Sequence, residues 1–166
     1  LHSCARRQRQ MCIRDRDNLL PSANSKMAEN LFKLNHFFGI PEFKLRAEKM
    51  TSLIQPMSFK EPLKYANWLQ SIYNFTLPFY EIAITGPLAI DKMNLLLPFY
   101  IPNSVISTSV SKSDLYLLKD RHDPIETYYY VCENNFCKIP VQSIDELFSL
   151  LDSKAKDLIY NPNFFK

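Results

Sequence analysis

The spacing of the apolar residues changes near residue 77 of this chain of 166 residues. Before that point apolar residues recur every three or four positions, which is typical of amphipathic helices. After it, short runs of β-branched and aromatic residues are separated by turn signals and by one further helical segment. The change predicts a mixed α and β fold, with a helical segment over residues 17–76, a small α/β subdomain over residues 77–157 and a tail over residues 158–166.

Three helices are predicted in the first segment. The first begins in the polar stretch Pro21–Ser25 and ends at Gly39, because serine and asparagine are good N-caps and glycine tolerates the left-handed C-cap conformation. The second begins at Pro41 and ends before Pro56, since proline suits the first turn of a helix but not its interior. The third runs from about Pro62 to Tyr73.

The helical period also predicts which side of each helix is buried. Trp68 is interpreted as a packing residue, because large aromatic side chains usually serve burial. The apolar stripe of the first helix is Met27, Leu31, Leu34 and Phe38, widened by Ala28 and Phe37. That of the third helix is Leu63, Ala66, Leu69 and Tyr73, joined by Ile72.

The second segment opens with a short apolar run, Phe79–Gly86, which predicts a largely buried strand. A helix over Leu88–Phe99 and a strand over Val105–Val110 follow. A strand, a helix and a strand within roughly 30 residues form the βαβ pattern, so the two strands are predicted to be parallel.

A hairpin and a capped helix complete the predicted subdomain. Thr127–Cys132 predicts a strand and Cys137–Val141 its return, and Pro140 places the return strand at an edge of the sheet. Ser143 and Glu146 have the spacing of a capping box, which predicts the start of the last helix.

Composition and charge exclude several classes of function. The chain has 2 glycines, so a glycine-rich phosphate-binding loop is excluded. No apolar run reaches the roughly 18 residues that a membrane span needs. Residues 1–16 hold five of the 20 Lys and Arg residues and one of the 17 Asp and Glu residues, so without them the net charge changes from +3 to −1. The basic character lies outside the predicted fold, which argues against nucleic-acid binding.

Residues 1–16 have neither a helical nor a strand period. The string MCIRDR within them resembles translated sequencing adapter, and the alternative is a genuine basic arm. We predict a disordered artefact, with genuine sequence starting near Asp17. Two cysteines lie outside this segment and no secretory signal precedes the fold, so a reduced, cytoplasmic chain is expected.

Two interpretations are open for the polar stretch at the first helix. Ser22, Asn24 and Ser25 surround a helix N-terminus, where free N–H groups and hydroxyls can hold an anion or a sugar hydroxyl. Ordinary capping and turn chemistry explains the same residue types. These three residues are therefore candidate ligand-binding residues.

Three interpretations are open for Cys132 and Cys137, which face each other across the predicted hairpin turn. They can form a reversible disulfide, because opposite positions in a hairpin come within disulfide reach. They can remain buried structural thiols. They can join His122 in a zinc site, although a closed site needs a fourth ligand. The pair is the candidate redox site of the chain, and no metal site is predicted.

No catalytic constellation is complete in this sequence. No Ser-His-Asp arrangement stands out, and His36 is interpreted as a packing or surface residue of the first helix. His122 lies in the charged stretch at residues 119–124, which is interpreted as a solvated loop. We predict no catalytic residue and no cofactor, and we expect the chain alone to be inactive.

Two motifs carry a resemblance to a known family. One is the DN pair followed by the PSANS stretch at residues 17–25, and the other is the YVC…C…PV hairpin at residues 130–141. Between them lie EIAITG at residues 81–86 and YIPN at residues 100–103. In this order the pieces resemble the C-terminal end of the spermatogenesis-associated protein 20-like family, also called thioredoxin domain-containing proteins, over about residues 17–151.

This resemblance implies that the chain is a fragment. Proteins of the family carry an N-terminal thioredoxin-like domain and a central (α/α)6 toroid like that of six-hairpin glycosidases and sugar 2-epimerases. The three predicted helices would end the toroid, and the strands would form a small α/β appendage. Ser22, Asn24 and Ser25 would then stand at the toroid mouth, where related folds bind sugars.

Two classes of function follow from the resemblance. In the first, the chain contributes part of a carbohydrate-binding or sugar-modifying pocket in the parent protein. In the second, it is a non-catalytic scaffold or interaction region of a redox-related protein. The expected partners are a small-molecule or sugar ligand and the missing N-terminal domains of the same chain, with no nucleic acid and no membrane.

Overall fold

The computed structural model describes residues 15–17, 19–133 and 136–151. These residues divide into two compact units, the first formed by those up to residue 35 together with 39–77 and the second by 36–38 together with those from residue 78 onwards. Most of the predicted artefact, residues 1–14, lies outside the described residues, as does the predicted tail at residues 158–166. The fold is therefore mixed α and β, with helices alone before residue 77 and a sheet with two further helices after it.

The described residues form five α-helices, a short 3-10 turn and four strands. No helix among them is both long and apolar enough to cross a membrane. In chain order the elements are α1 (Ala23–Phe38), α2 (Pro41–Lys60), the 3-10 turn (Pro62–Lys64), α3 (Ala66–Thr76), β1 (Tyr80–Thr85), α4 (Ala89–Leu96), β2 (Ser104–Ser109), β3 (Tyr128–Glu133), β4 (Phe136–Cys137) and α5 (Ile144–Leu150).

Helix α1 begins and ends where its capping residues predict. Ser22 is the N-cap, and Gly39 takes the left-handed C-cap conformation with φ of 65°. The predicted buried stripe is wrong in part, because Met27 and Phe38 are about half exposed, at 53% and 51%. The buried side of α1 runs through Ala28, Leu31 and Phe32, and the first two of these belong to the predicted stripe.

The predicted end of helix α2 before Pro56 is wrong. The helix continues to Lys60, with the proline inside it. Proline removes one hydrogen bond from the helical ladder. The buried side of the helix nevertheless continues past it, since Ala47, Thr51 and Ser58 are all buried on one side.

The third predicted helix is divided. A 3-10 turn at Pro62–Lys64 precedes α3, and Leu63 of the predicted apolar stripe is 94% exposed. Trp68 is confirmed as a packing residue, at 1% exposure. It lies with Ala28 and Tyr65 in the core of the first unit, against Met50 and Ile54.

The second unit contains a four-stranded sheet in the order β2-β1-β3-β4. The predicted parallel pairing of β1 with β2 is confirmed, and Tyr80 pairs with Ser104 at its start. Strand β3 is antiparallel to β1 and places Cys132 opposite Glu81. All six residues of β1 are buried, as the apolar run predicted.

One face of this sheet carries the main hydrophobic core of the unit. Alternate residues of β1 and β3 point to it, as the two-residue period of a strand requires. Helix α4 and helix α5 supply its other side. The buried residues of this core are Tyr80, Ile82, Ile84, Ala89, Leu96, Ile101, Tyr129, Val131, Leu147 and Leu151.

The return strand of the hairpin is short and irregular. Strand β4 pairs Cys137 with Cys132 at the edge of the sheet, and Lys138 N then donates to Val131 O at 2.9 Å. The next bridge joins Tyr129 to Val141. Two residues of the return segment, at 139 and 140, therefore stand opposite one residue of β3, which is the count of a β-bulge. The bulge accommodates a proline that cannot donate to the ladder.

Helix α5 starts at the predicted capping box. Ser143 Oγ accepts from Glu146 N at 3.2 Å, and Glu146 Oε2 accepts from Ser143 N at 3.1 Å. The hydrogen bond from Ser143 N lowers the pKa of the Glu146 carboxyl, so the cap is formed by the ionised side chain.

The turn after β1 passes against the segment that leads into β3. Gly86 has φ of 127°, and a Cβ atom there would lie 2.3 Å from Glu126 O and 2.6 Å from Thr127 Oγ1. Thr127 Oγ1 also accepts from Leu88 N at 2.9 Å, just before α4. Protein atoms therefore occupy the space beside this βα turn.

Replacing Gly86 with alanine should destabilise the protein by more than about 2 kcal/mol, because the backbone conformation is strained for other residues and the new methyl group meets backbone atoms. Chemical denaturation measures the loss. Gly39→Ala is the matched control: φ of 65° there lies in the left-handed region, and we expect a cost of about 1 kcal/mol. Equal losses in the two variants would contradict the close approach at Gly86.

Candidate functional site

The three residues predicted to bind a ligand lie at the start of α1, where each makes hydrogen bonds within the first unit. Ser22 Oγ accepts from Ser25 N at 3.2 Å, as an N-cap does. Ser25 Oγ lies 3.2 Å from Asp17 Oδ1, and Asn24 Nδ2 donates to Asp15 Oδ1 at 2.7 Å. Ser22 and Ser25 are buried, at 5% and 0% exposure. Their observed role is structural, and ligand binding at this position stays a prediction.

Asp17 organises this helix start, although the sequence did not single out its side chain. Asp17 Oδ1 accepts from Ser22 N at 2.7 Å, and Oδ2 accepts from Asn67 N at 2.8 Å. The carboxylate thus meets backbone N–H groups at the starts of both α1 and α3. Helix starts leave such groups without intrahelical partners, and a negative charge there is favourable.

Two residues of the predicted artefact also contact the first unit. Trp68 Nε1 donates to Asp15 O at 2.7 Å, and Arg16 Nε donates to Tyr65 Oη at 3.4 Å. The assignment of residues 1–16 to an artefact stays a prediction, and the described part of that segment makes specific contacts.

A buried histidine–carboxylate pair lies in the second unit. His36 Nδ1 is 2.6 Å from Glu81 Oε1, and the two side chains are 9% and 4% exposed. The His36 ring also stacks on Phe79, with centroids 4.6 Å apart. Of the two roles predicted for His36, packing is the one observed. A carboxylate on a fully buried strand needs such a partner, because an unpaired buried charge is costly.

Cys132 and Cys137 are joined by a disulfide across the hairpin. Their Cα atoms are 3.9 Å apart, and they are direct partners in the β3–β4 ladder. Cys132 is fully buried at 0% exposure, whereas Cys137 lies in the exposed class. The alternative of two buried structural thiols therefore fails for Cys137. Within the described residues, no group of three or more metal-ligating side chains is present.

Arg121 lies against the exposed sulfur of this disulfide. Its Nη2 is 3.2 Å from Cys137 Sγ, and its Nη1 donates to Leu117 O at 2.5 Å. The guanidinium also lies 5.9 Å from the ring centroid of Tyr130. The charged stretch predicted to be a solvated loop thus supplies a half-buried cation to the cysteine pair. Sequence reasoning missed this residue, because it comes from a loop 16 residues before Cys137.

The groups around Arg121 have defined charge states. Burial raises the pKa of the Tyr130 phenol, so its ring is neutral at physiological pH. Backbone N–H groups of Glu126 and Ile125 lower the pKa of the Asp123 carboxyl, which is therefore ionised. The guanidinium itself is always charged. Arg121 thus places a permanent positive charge beside a sulfur atom.

The chain is similar to the human protein named spermatogenesis-associated protein 20. The two are 26% identical over an alignment of 148 residues, and the match covers 82% of this chain and 19% of that protein. The chain thus spans 19% of the length of the curated relative that it matches. No family model matches the sequence, and no solved structure matches it. The likeness supports the family resemblance that the two motifs indicate.

Replacing Asp17 with alanine should lower the free energy of unfolding by about 2 to 4 kcal/mol, because several buried donors at two helix starts lose one charged acceptor. Denaturant titration measures the loss. Asp15→Ala is the matched control, since it removes an acceptor bonded to the half-buried Asn24 and should cost about 1 kcal/mol or less. If both variants lost the same free energy, Asp17 would not organise the helix starts.

Proposed function

We propose that this chain is the C-terminal region of a longer protein similar to spermatogenesis-associated protein 20, and that it acts there as a non-catalytic scaffold. Helices α1 to α3 would be the last helices of an (α/α)6 toroid, and the sheet unit its α/β appendage. One observation carries the proposal: α2 has apolar side chains on two opposite sides, and one of these sides is uncovered.

The two sides of α2 are distinct. Ala47, Thr51 and Ser58 are buried on one side. At 100° per residue, four large apolar side chains project from the opposite half of the helix. They and their exposed fractions are Leu45 at 64%, Leu53 at 67%, Met57 at 53% and Phe59 at 62%. We call these four residues the outer face of α2.

Large apolar side chains that gather on one exposed side of a helix are typical of an interaction surface. These side chains are half to two-thirds exposed, so covering each of them would contribute about 1 to 2 kcal/mol to association with a partner. The outer face therefore supports an interaction role.

We propose that the partner is the preceding part of the same polypeptide. The curated relative is several times longer than the matched region, since the match covers 19% of it. In an (α/α)6 toroid each helix packs between neighbours, so helices before α1 would cover the outer face. No cofactor is needed for this role.

A sugar-binding role at Ser22, Asn24 and Ser25 is the competing proposal. It gains less support, because the hydroxyls of Ser22 and Ser25 are buried and take part in capping. Asn24 is half-buried and keeps one hydrogen bond to Asp15. A ligand at this position would have to displace these interactions.

The test compares the present chain with a version extended upstream along its gene. Leu45→Lys with Leu53→Lys should reduce hydrophobic-dye binding and self-association of the short chain and change its stability by less than about 0.5 kcal/mol per site. In the extended protein the same pair should destabilise by several kcal/mol, because it places charges in an interface.

Leu95→Lys is the control, because Leu95 of α4 is 60% exposed but lies outside the outer face. It should be near neutral in both proteins. If the double substitution left the stability of the extended protein unchanged, the scaffold proposal would be overturned. Loss of sugar binding in the extended protein on Ser25→Ala, without loss of stability, would favour the pocket instead.

A further inference from the structure

We propose that Cys132 and Cys137 form a reversible dithiol–disulfide couple that exchanges with dithiols at the Cys137 sulfur, and that Arg121 stabilises the Cys137 thiolate. This inference rests on the second unit alone and does not depend on the origin of the chain. It assigns separate roles to the two sulfur atoms and to the cation beside them.

The two sulfur atoms differ in access. Thiol–disulfide exchange requires a thiolate to reach one sulfur of the bond. Cys132 lies on β3 with 0% exposure, whereas Cys137 lies on the edge strand β4 and is exposed. An external thiolate can therefore reach Cys137 and not Cys132.

Hydrogen bonds to the rest of the second unit hold Arg121 in place beside the disulfide. One arm of the guanidinium is bonded to Leu117 O and the other lies 3.2 Å from Cys137 Sγ. The main-chain oxygen of Arg121 accepts from Thr85 Oγ1, which ties the loop to β1. A cation held beside a sulfur favours the thiolate, which is the reactive form of cysteine. Lysine, with a flexible point charge, would not present the same fixed fork.

The exchange balances with a dithiol as the reductant. Its thiolate attacks Cys137 Sγ, the Cys132–Cys137 bond breaks, and the electron pair goes to Cys132 Sγ, which takes up a proton from solvent. The second thiol of the reductant then loses its proton and attacks the reductant's own sulfur in the mixed disulfide. Cys137 leaves as a thiolate beside Arg121, and the reductant becomes a cyclic disulfide. Two electrons pass to the protein, and the reverse sequence returns them.

The sign of the Arg121 effect follows from this scheme. The cation stabilises the reduced form, so it makes the disulfide easier to reduce. Removing the positive charge should lower the reduction potential and slow alkylation of Cys137 near neutral pH.

The test uses the full chain with Cys4→Ser and Cys12→Ser, equilibrated in buffers of reduced and oxidised dithiothreitol. Alkylation and mass spectrometry then measure the reduced fraction. Arg121→Gln should change the equilibrium constant about tenfold towards the disulfide, which is about 30 mV. Arg121→Lys should give a smaller change. Lys119→Gln is the matched control, because it removes one exposed positive charge from the same loop, and it should change the constant by less than about twofold.

A second measurement does not depend on disulfide stability. In a Cys132→Ser background, the rate of Cys137 alkylation is followed against pH. Arg121→Gln should move the midpoint of that profile to higher pH, and Lys119→Gln should leave it in place. Equal effects of the two substitutions in both experiments would overturn the proposal. So would a purified protein whose two cysteines stay reduced after treatment with an excess of oxidised glutathione.

Discussion

The burial of β1 on both faces is the constraint on which the second unit depends. A strand buried in this way needs hydrogen-bonding neighbours on both edges, which β2 and β3 provide. One of its faces meets the apolar core under α4 and α5. The other face carries Glu81, a carboxylate that is tolerated there because His36 lies 2.6 Å away. The same face of the sheet carries Cys132, the register partner of Glu81.

Local chemistry made much of this fold predictable. The N-cap at Ser22, the C-cap at Gly39 and the capping box at Ser143 and Glu146 depend on residues within one helical turn. The parallel pairing of β1 with β2 follows from chain order and connection length. The hairpin spacing alone was likewise enough to predict that Cys132 and Cys137 face each other.

Features that depend on contacts between residues far apart in the chain were not predicted from the sequence. Pro56 signals a helix end locally, yet burial along Thr51 and Ser58 keeps α2 continuous. Asp17 joins two helix starts because its carboxylate accepts from Asn67 N, 50 residues away along the chain. Arg121 looked like part of a solvated charged loop because nothing in its neighbourhood marks the sulfur of Cys137 as its partner. Side chains that connect elements far apart in sequence have no local signature.

The β-bulge and the disulfide occupy different levels of the same hairpin. Below the disulfide, Lys138 N donates to Val131 O, and Tyr129 and Val141 exchange a pair of hydrogen bonds of 2.8 and 3.0 Å. The covalent link spans a sequence separation of only 5 residues, so it restricts the unfolded chain far less than a long loop would. The base of the hairpin is thus held by non-covalent bonds that do not involve sulfur. In the proposed exchange, the hairpin tip would change oxidation state while these backbone hydrogen bonds keep the register of the sheet below it.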